Sequence, residues 1–275
     1  MIFLVQYAPK LNKIFNICVL NVKPMTYRHL QLILSLSLLN MHLSVAQQAT
    51  IFQAREAVYR GYIQDEETHW QKGLELLRQA CGQPVSCSEA MRYELALTEY
   101  GYIGFCLAHE QKEKAQSYLE SCEAHARSLL GTSYEAEVHA ILGGLMGIKM
   151  GLSPASAIWI GPKSLKHIEA ATQKGKDKAA GWVETGNMRL HSPALFGGSV
   201  DKAIHCYQKA IRLFEQRPEA ERRCWLYLHA YAWLGQAWQK KGMKAEARKV
   251  YEQVLKIEPN FRWVKNELLP ALSEG

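Results

Sequence analysis

Residues 228–261 read LHAYAWLGQAWQKKGMKAEARKVYEQVLKIEPNF, and their spacing leaves few folds open. Tyr231, Leu234 and Trp238 recur at helical intervals and share one face of a first helix; Ala247, Tyr251 and Val254 share one face of a second. Gly242 lies between the two as a turn, and Pro259 follows the second. The small residues Gly235 and Ala247 let the two backbones approach closely. A helix–turn–helix unit of this kind cannot bury its apolar face alone, so it needs neighbours to stack on.

The rest of the chain supplies them. Helical periodicity and its punctuation predict four earlier pairs: Thr50–Ile63 with Glu66–Ala80, Cys87–His109 with Glu113–Leu130, Ser133–Met150 with a helix from Lys163, and Asp177–Arg189 with Val200–Phe214. The fifth pair is the opening stretch, extended back to Ala220. Each second helix carries a small residue in the same register (Gly73, Ala115, Ser164, Ala203, Ala247), at separations of 42, 49, 39 and 44 residues. Ser86 with Glu89 and Thr132 with Glu135 read as capping boxes, and Ser199 as an N-cap. No proline falls inside a predicted helix and no strand alternation is visible. The expected fold is all-α, an α-solenoid of five antiparallel helix pairs. A capping helix over 261–272 offers Phe261, Val264 and Leu268 to the end of the stack. Two connections are long, 151–161 and 191–199.

The spacing Tyr231-x-x-Leu234-Gly235-x-x-Trp238, followed by Ala247-x-x-x-Tyr251 and Pro259, resembles the tetratricopeptide (TPR) repeat. The resemblance is specific over 228–261 and at the level of pattern over 50–227. Gly161–Ser164 and Phe196–Ala203 also look like segments of uncharacterised secreted bacterial TPR proteins. The resemblance implies a non-enzymatic binding module that holds a protein or peptide on a concave face lined by first helices. Carried onto this chain, that face takes in His229, Ala232, Gln236, Gln239 and Lys240 in the last repeat, and Val183, Asn187 and Leu190 in the fourth. The lysine of the chaperone-type carboxylate clamp is missing, because Val183 stands in its place.

Charge points to the N-terminus. The formal net charge is +7, but residues 1–46 hold four Lys/Arg and no acid, which leaves 29 basic and 26 acidic residues elsewhere. So balanced a domain has no electrostatic footprint for nucleic acid. From Met25 a short basic start, an uncharged Leu-rich run from Leu30 and the small residues of Ser44-Val45-Ala46 read as a signal peptide over 25–46, cleaved after Ala46. The competing reading is a retained anchor. Residues 1–24 read as an over-extended start, and the product as an exported, periplasmic protein that meets the membrane only through its transient signal.

Chemistry is not written in this sequence. It has no HExxH or zinc-spaced Cys/His set, no GxSxG and no GxxxxGK[ST] loop, and His109, His125 and His139 sit singly beside carboxylates. No cofactor, metal or catalytic constellation is predicted. Cys81 and Cys87 frame a short turn and are candidates for a disulfide, as are Cys206 with Cys224. Most aromatics (Trp182, Trp225, Trp233, Trp238, Tyr231, Tyr251) fall at packing positions. Trp159, inside the apolar run 157–160, and Phe196 stand apart in the long connections. Either these loops fold back onto the helices, or they present a contact surface or a lid. A protein-docking module is the first reading. A small-molecule or lipid carrier, with those loops closing an apolar pocket, is the alternative.

Overall fold

The structure, a computed structural model, describes residues 27–82 and 87–273, with side chains from residue 45 onward. The expected over-extended start over 1–24 lies outside the described residues. The chain divides into two compact units, Met1–Ala46 and Gln47–Gly275. Among the described residues no helix is long and apolar enough to cross a membrane.

Helices account for nearly all of the described chain, and no strand is present in it. They are α1 (Tyr27–Gln64), α2 (Glu67–Cys81), α3 (Glu89–Ala108), α4 (Lys112–Arg127), α5 (Glu135–Leu152), α6 (Ala157–Lys174), α7 (Ala179–His191), α8 (Val200–Glu215), the short α9 (Glu219–Arg222), α10 (Trp225–Lys240) and α11 (Lys244–Ile257). A π-helical turn, Val264–Leu268, and α12 (Leu269–Ala271) follow. Successive helices pack as antiparallel pairs: α3 on α4, α5 on α6, α7 on α8 and α10 on α11. First helices also meet their neighbours, α5 on α7 and α7 on α10. This is an all-α, TPR-like stack.

Close approach within a pair rests on glycines of the first helix. A Cβ on Gly143 would lie 2.5 Å from Ile168, one on Gly186 would lie 2.6 Å from Tyr207, and one on Gly235 would overlap the Tyr251 ring. Opposite them, Ala203 and Ala247 are fully buried, and the Ser164 hydroxyl donates to the Gly143 carbonyl at 2.9 Å. Gly242 takes a left-handed conformation (φ +84°) to turn α10 into α11. At the corresponding turns after α1 and α3, Asp65 (φ 55°) and Glu110 (φ 60°) are left-handed without being glycine.

Several boundaries differ from expectation. Serine 86 lies outside the described residues, and α3 is capped by Ser88, which accepts from the Met91 amide at 3.4 Å. Thr132 caps no helix: it accepts from the Tyr134 amide, and Glu135 is already the first residue of α5. Ser199 does cap α8, accepting from the Lys202 amide. The largest change is in the connection 151–161. α6 begins at Ala157, with Pro162 inside it, so the link shrinks to a 3₁₀ turn at Pro154–Ser156. A proline there leaves the Ile158 carbonyl without its helical donor. That turn faces solvent, where water can serve the carbonyl, and this is why the proline is tolerated.

The C-terminal segment does more than cap the last repeat. Phe261, Val264 and Leu272 are buried, Leu268 is half-buried, and Phe261 packs on Tyr62 of the first helix at 5.1 Å between ring centroids. Tyr62 also contacts Trp225 and shares a 3.0 Å hydrogen bond with His229 Nδ1. The Tyr59 hydroxyl donates to Glu258 at 3.0 Å, Arg223 pairs with Glu56, and Arg262 donates to the Gln64 carbonyl. The first helix pair thus meets the last, and the solenoid closes on itself.

Two substitutions of the same kind should have opposite signs. Gly235→Ala forces a methyl into Tyr251 and is expected to cost roughly 1–3 kcal/mol. Gly104→Ala, on an exposed face with nothing within 4 Å of the new atom, is expected to gain about 0.5–1 kcal/mol. Urea unfolding of both variants measures the difference.

Candidate functional site

Closure decides what the inner face can do. Lined by first helices, it is filled and does not form an open groove. Trp225 sits among Tyr62, Trp70, Tyr100 and His229, and Trp233 continues the chain of rings to His191 and Trp263. Some of the residues expected to face a partner are buried in this packing. Val183 and Ala232 are fully buried and Leu190 nearly so, which removes them from any surface. His229 is half-buried and engaged by Tyr62. Asn187 Nδ2 donates to Glu184 at 3.1 Å and its Oδ1 accepts from the Tyr207 hydroxyl at 2.7 Å. Gln236 and Gln239 are half-buried, and Gln236 Nε2 is a buried donor without a partner. Lys240 is exposed, but its ammonium donates to the Leu190 carbonyl at 2.7 Å.

Two acid–base groups in this interior have displaced affinities. Burial raises the Glu184 carboxyl to about 7, against partial relief from its hydrogen bonds with Asn187 and Tyr100. Burial, and to a lesser degree the neighbouring His191, lowers His229 to about 3.

Trp159 and Phe196 lie elsewhere, and there the structure is open. Ile158 and Trp159 on the first turn of α6 are each 74% exposed, and Leu195 and Phe196 after α7 are 88% and 72% exposed. These four side chains do not fold back onto the helices. Because first helices of adjacent pairs run parallel, the turns that follow α5, α7 and α10 fall on one rim of the stack. Met243 in the last of these turns is 40% exposed. The α7–α8 loop is held firmly. Gly197 is left-handed (φ +85°), its carbonyl accepts from Arg189 at 2.6 Å, and the Ser199 amide donates to the Arg189 carbonyl at 2.7 Å. Lys163 follows the first tip in α6, Lys202 follows the second at the start of α8, and Lys240, Lys241 and Lys244 flank the Met243 turn; all are exposed, and Asp201 is paired to Lys241.

The opposite rim holds a cavity of about 450 Å³, lined by the starts of α3, α5, α7 and α10 together with Arg55 of α1 and Arg217 beyond α8. The sequence reading did not single out its charged residues. Their signal was present: Glu94 and Glu137 interrupt otherwise apolar helix faces, and both are buried.

Cys81 and Cys87 are joined by a disulfide, with Cα atoms 4.5 Å apart. Cys206 and Cys224 are both free thiols and do not pair. Among the described residues no group of three or more His, Cys, Asp or Glu is disposed to hold a metal ion.

Comparison with known proteins bears on the repeat directly. The family model for the tetratricopeptide repeat matches residues 229–261. The chain carries a TPR repeat. No curated protein sequence matches the chain. Among solved structures, the HusA haemophore from Porphyromonas gingivalis is similar at 16% identity and a TM-score of 0.49, over 68% of this chain and 92% of that one.

The two displaced groups predict an unusual pH response. Glu184, with its folded affinity raised, contributes stability that is fully present below its ordinary value of 4.5 and is lost as pH rises to about 7. His229, with its folded affinity lowered, contributes stability that is present above 6.5 and lost as pH falls toward 3. In wild type the two oppose each other between pH 4.5 and 6.5. Glu184→Gln should remove one arm, so that stability falls monotonically on acidification in that window. It should also be more stable than wild type at pH 8 by roughly 3 kcal/mol or less, from about 1.4 kcal/mol per pH unit of displacement. Denaturant titrations at several pH values test both.

Proposed function

We propose that this chain is a non-enzymatic, exported TPR module that docks a protein partner through the rim carrying Ile158, Trp159, Leu195 and Phe196. Tetratricopeptide repeats serve generally as protein-interaction scaffolds, and the repeat at 229–261 supports that role here. The single observation that carries the choice of surface is the 70–90% exposure of four large apolar side chains on adjacent turns, one loop of which is locked by hydrogen bonds. A preorganised apolar tip loses little entropy when it is buried in a partner. The lysines around the tips match a partner whose apolar pocket is edged with carboxylates. Export is supported by the basic-then-apolar segment over 25–46 and by the Cys81–Cys87 disulfide, since such bonds persist in oxidising compartments.

Crosslinked capture from the envelope fraction, with photoreactive groups at positions 159 and 196, is expected to yield one discrete protein. Trp159→Ser and Phe196→Ser should leave the thermal midpoint unchanged and weaken capture by about 2 kcal/mol per anchor, roughly 30-fold each. Unchanged capture by the double variant defeats the rim reading. Recovery of the native protein from the cytosol with residues 25–46 intact defeats the export reading.

A further inference from the structure

The cavity on the opposite rim has an unmet electrostatic need. Glu137 is only 8% exposed; its Oε1 lies 3.4 Å from the Lys178 ammonium, while its Oε2 is buried without any hydrogen-bond partner. That oxygen has almost no accessible surface, and a buried acceptor left unpaired is costly, so when the carboxylate turns toward the cavity it is favoured to meet an occupant's donor. The other charges in the lining do not supply one. Arg55 pairs with Glu94, which leaves Asp177 and Glu221 against Arg217 outside ion pairs among the described residues, a balance of one negative charge. Tyr93 and Tyr134 stack beside Glu137, with centroids 4.8 Å apart and planes at 22°, and offer an aromatic surface to a cation. A volume of about 450 Å³ suits a small molecule or the end of a peptide and leaves no room for a folded domain.

We propose that this cavity is a binding site for a primary ammonium group, with the Glu137 carboxylate as its acceptor and the Tyr93–Tyr134 pair as its wall. A free diamine or amino acid and the amino terminus of a peptide present the same chemistry. The site is separate from the rim around Trp159, and neither reading depends on the other.

Calorimetric titration of the full chain tests it with three probes: cadaverine, the tripeptide Ala-Leu-Ala-amide and the N-acetylated form of that tripeptide. Binding of cadaverine or of the free tripeptide, with no binding of the acetylated one, is the expected result. Cadaverine alone would identify small amines as the occupants; the free tripeptide alone would identify peptide amino termini. Glu137→Gln, which keeps the shape and removes the charge, should weaken binding at least about tenfold, as expected for loss of a charge-assisted bond. Arg217→Ala, which removes a like charge, should tighten it. Acetylated peptide binding as well as the free one, no binding of any probe at millimolar concentration, or equal affinity in Glu137→Gln would each overturn the assignment. The acetylation contrast needs no variant and stands even if Glu137→Gln does not fold.

Discussion

The contact on which the molecule depends is the seating of Tyr62 among Trp225, His229 and Phe261. It brings together residues 163–199 positions apart in sequence and joins the first helix pair to the last. Once it forms, the inner faces of the first helices have nowhere to go but inward. That closure engages His229 and fills the space around Trp225, where an open TPR stack would present a groove.

The helix pairs were legible because the information for them is local. Gly143 with Ser164 and Gly235 with Ala247 announce a close crossing from sequence alone, and the structure shows the contacts those residues permit. Gly242 likewise announced its turn. Asp65 and Glu110 take up the same left-handed geometry without any compositional sign, so the kinship of the early turns to the last one was hidden. Pro162 acts in the other direction: proline usually opens a helix, which fits the expected start at Lys163, yet α6 begins six residues earlier, with the proline on an exposed turn. Closure was illegible for a different reason. Tyr62 and Phe261 each look like ordinary packing residues, and nothing near either one names its partner.

The candidate surfaces divide along the same line. Trp159 and Phe196 stood out because large apolar residues in connections are informative when helices have already claimed the periodic ones. The cavity residues did not stand out, although an acid in an apolar stripe is the complementary signal. The two rims now differ in kind. One projects apolar tips on turns that also carry lysines, and the other recesses a carboxylate beside a stacked pair of tyrosines. A protein built this way can engage a broad partner at one end and a single charged group at the other without either interfering sterically.

Closure also changes how the chain must reach this state. In an open solenoid each repeat touches only its neighbours, so folding can nucleate anywhere and spread, and the outermost repeats fray first. Here a loop spanning most of the domain has to shut before Tyr62 finds its place, and the entropy of that shutting is lost before the aromatic contacts return anything. The ends of the stack become its middle. The pair that would have been easiest to peel away is held by residues from both ends of the domain, so it is no longer the first to fray.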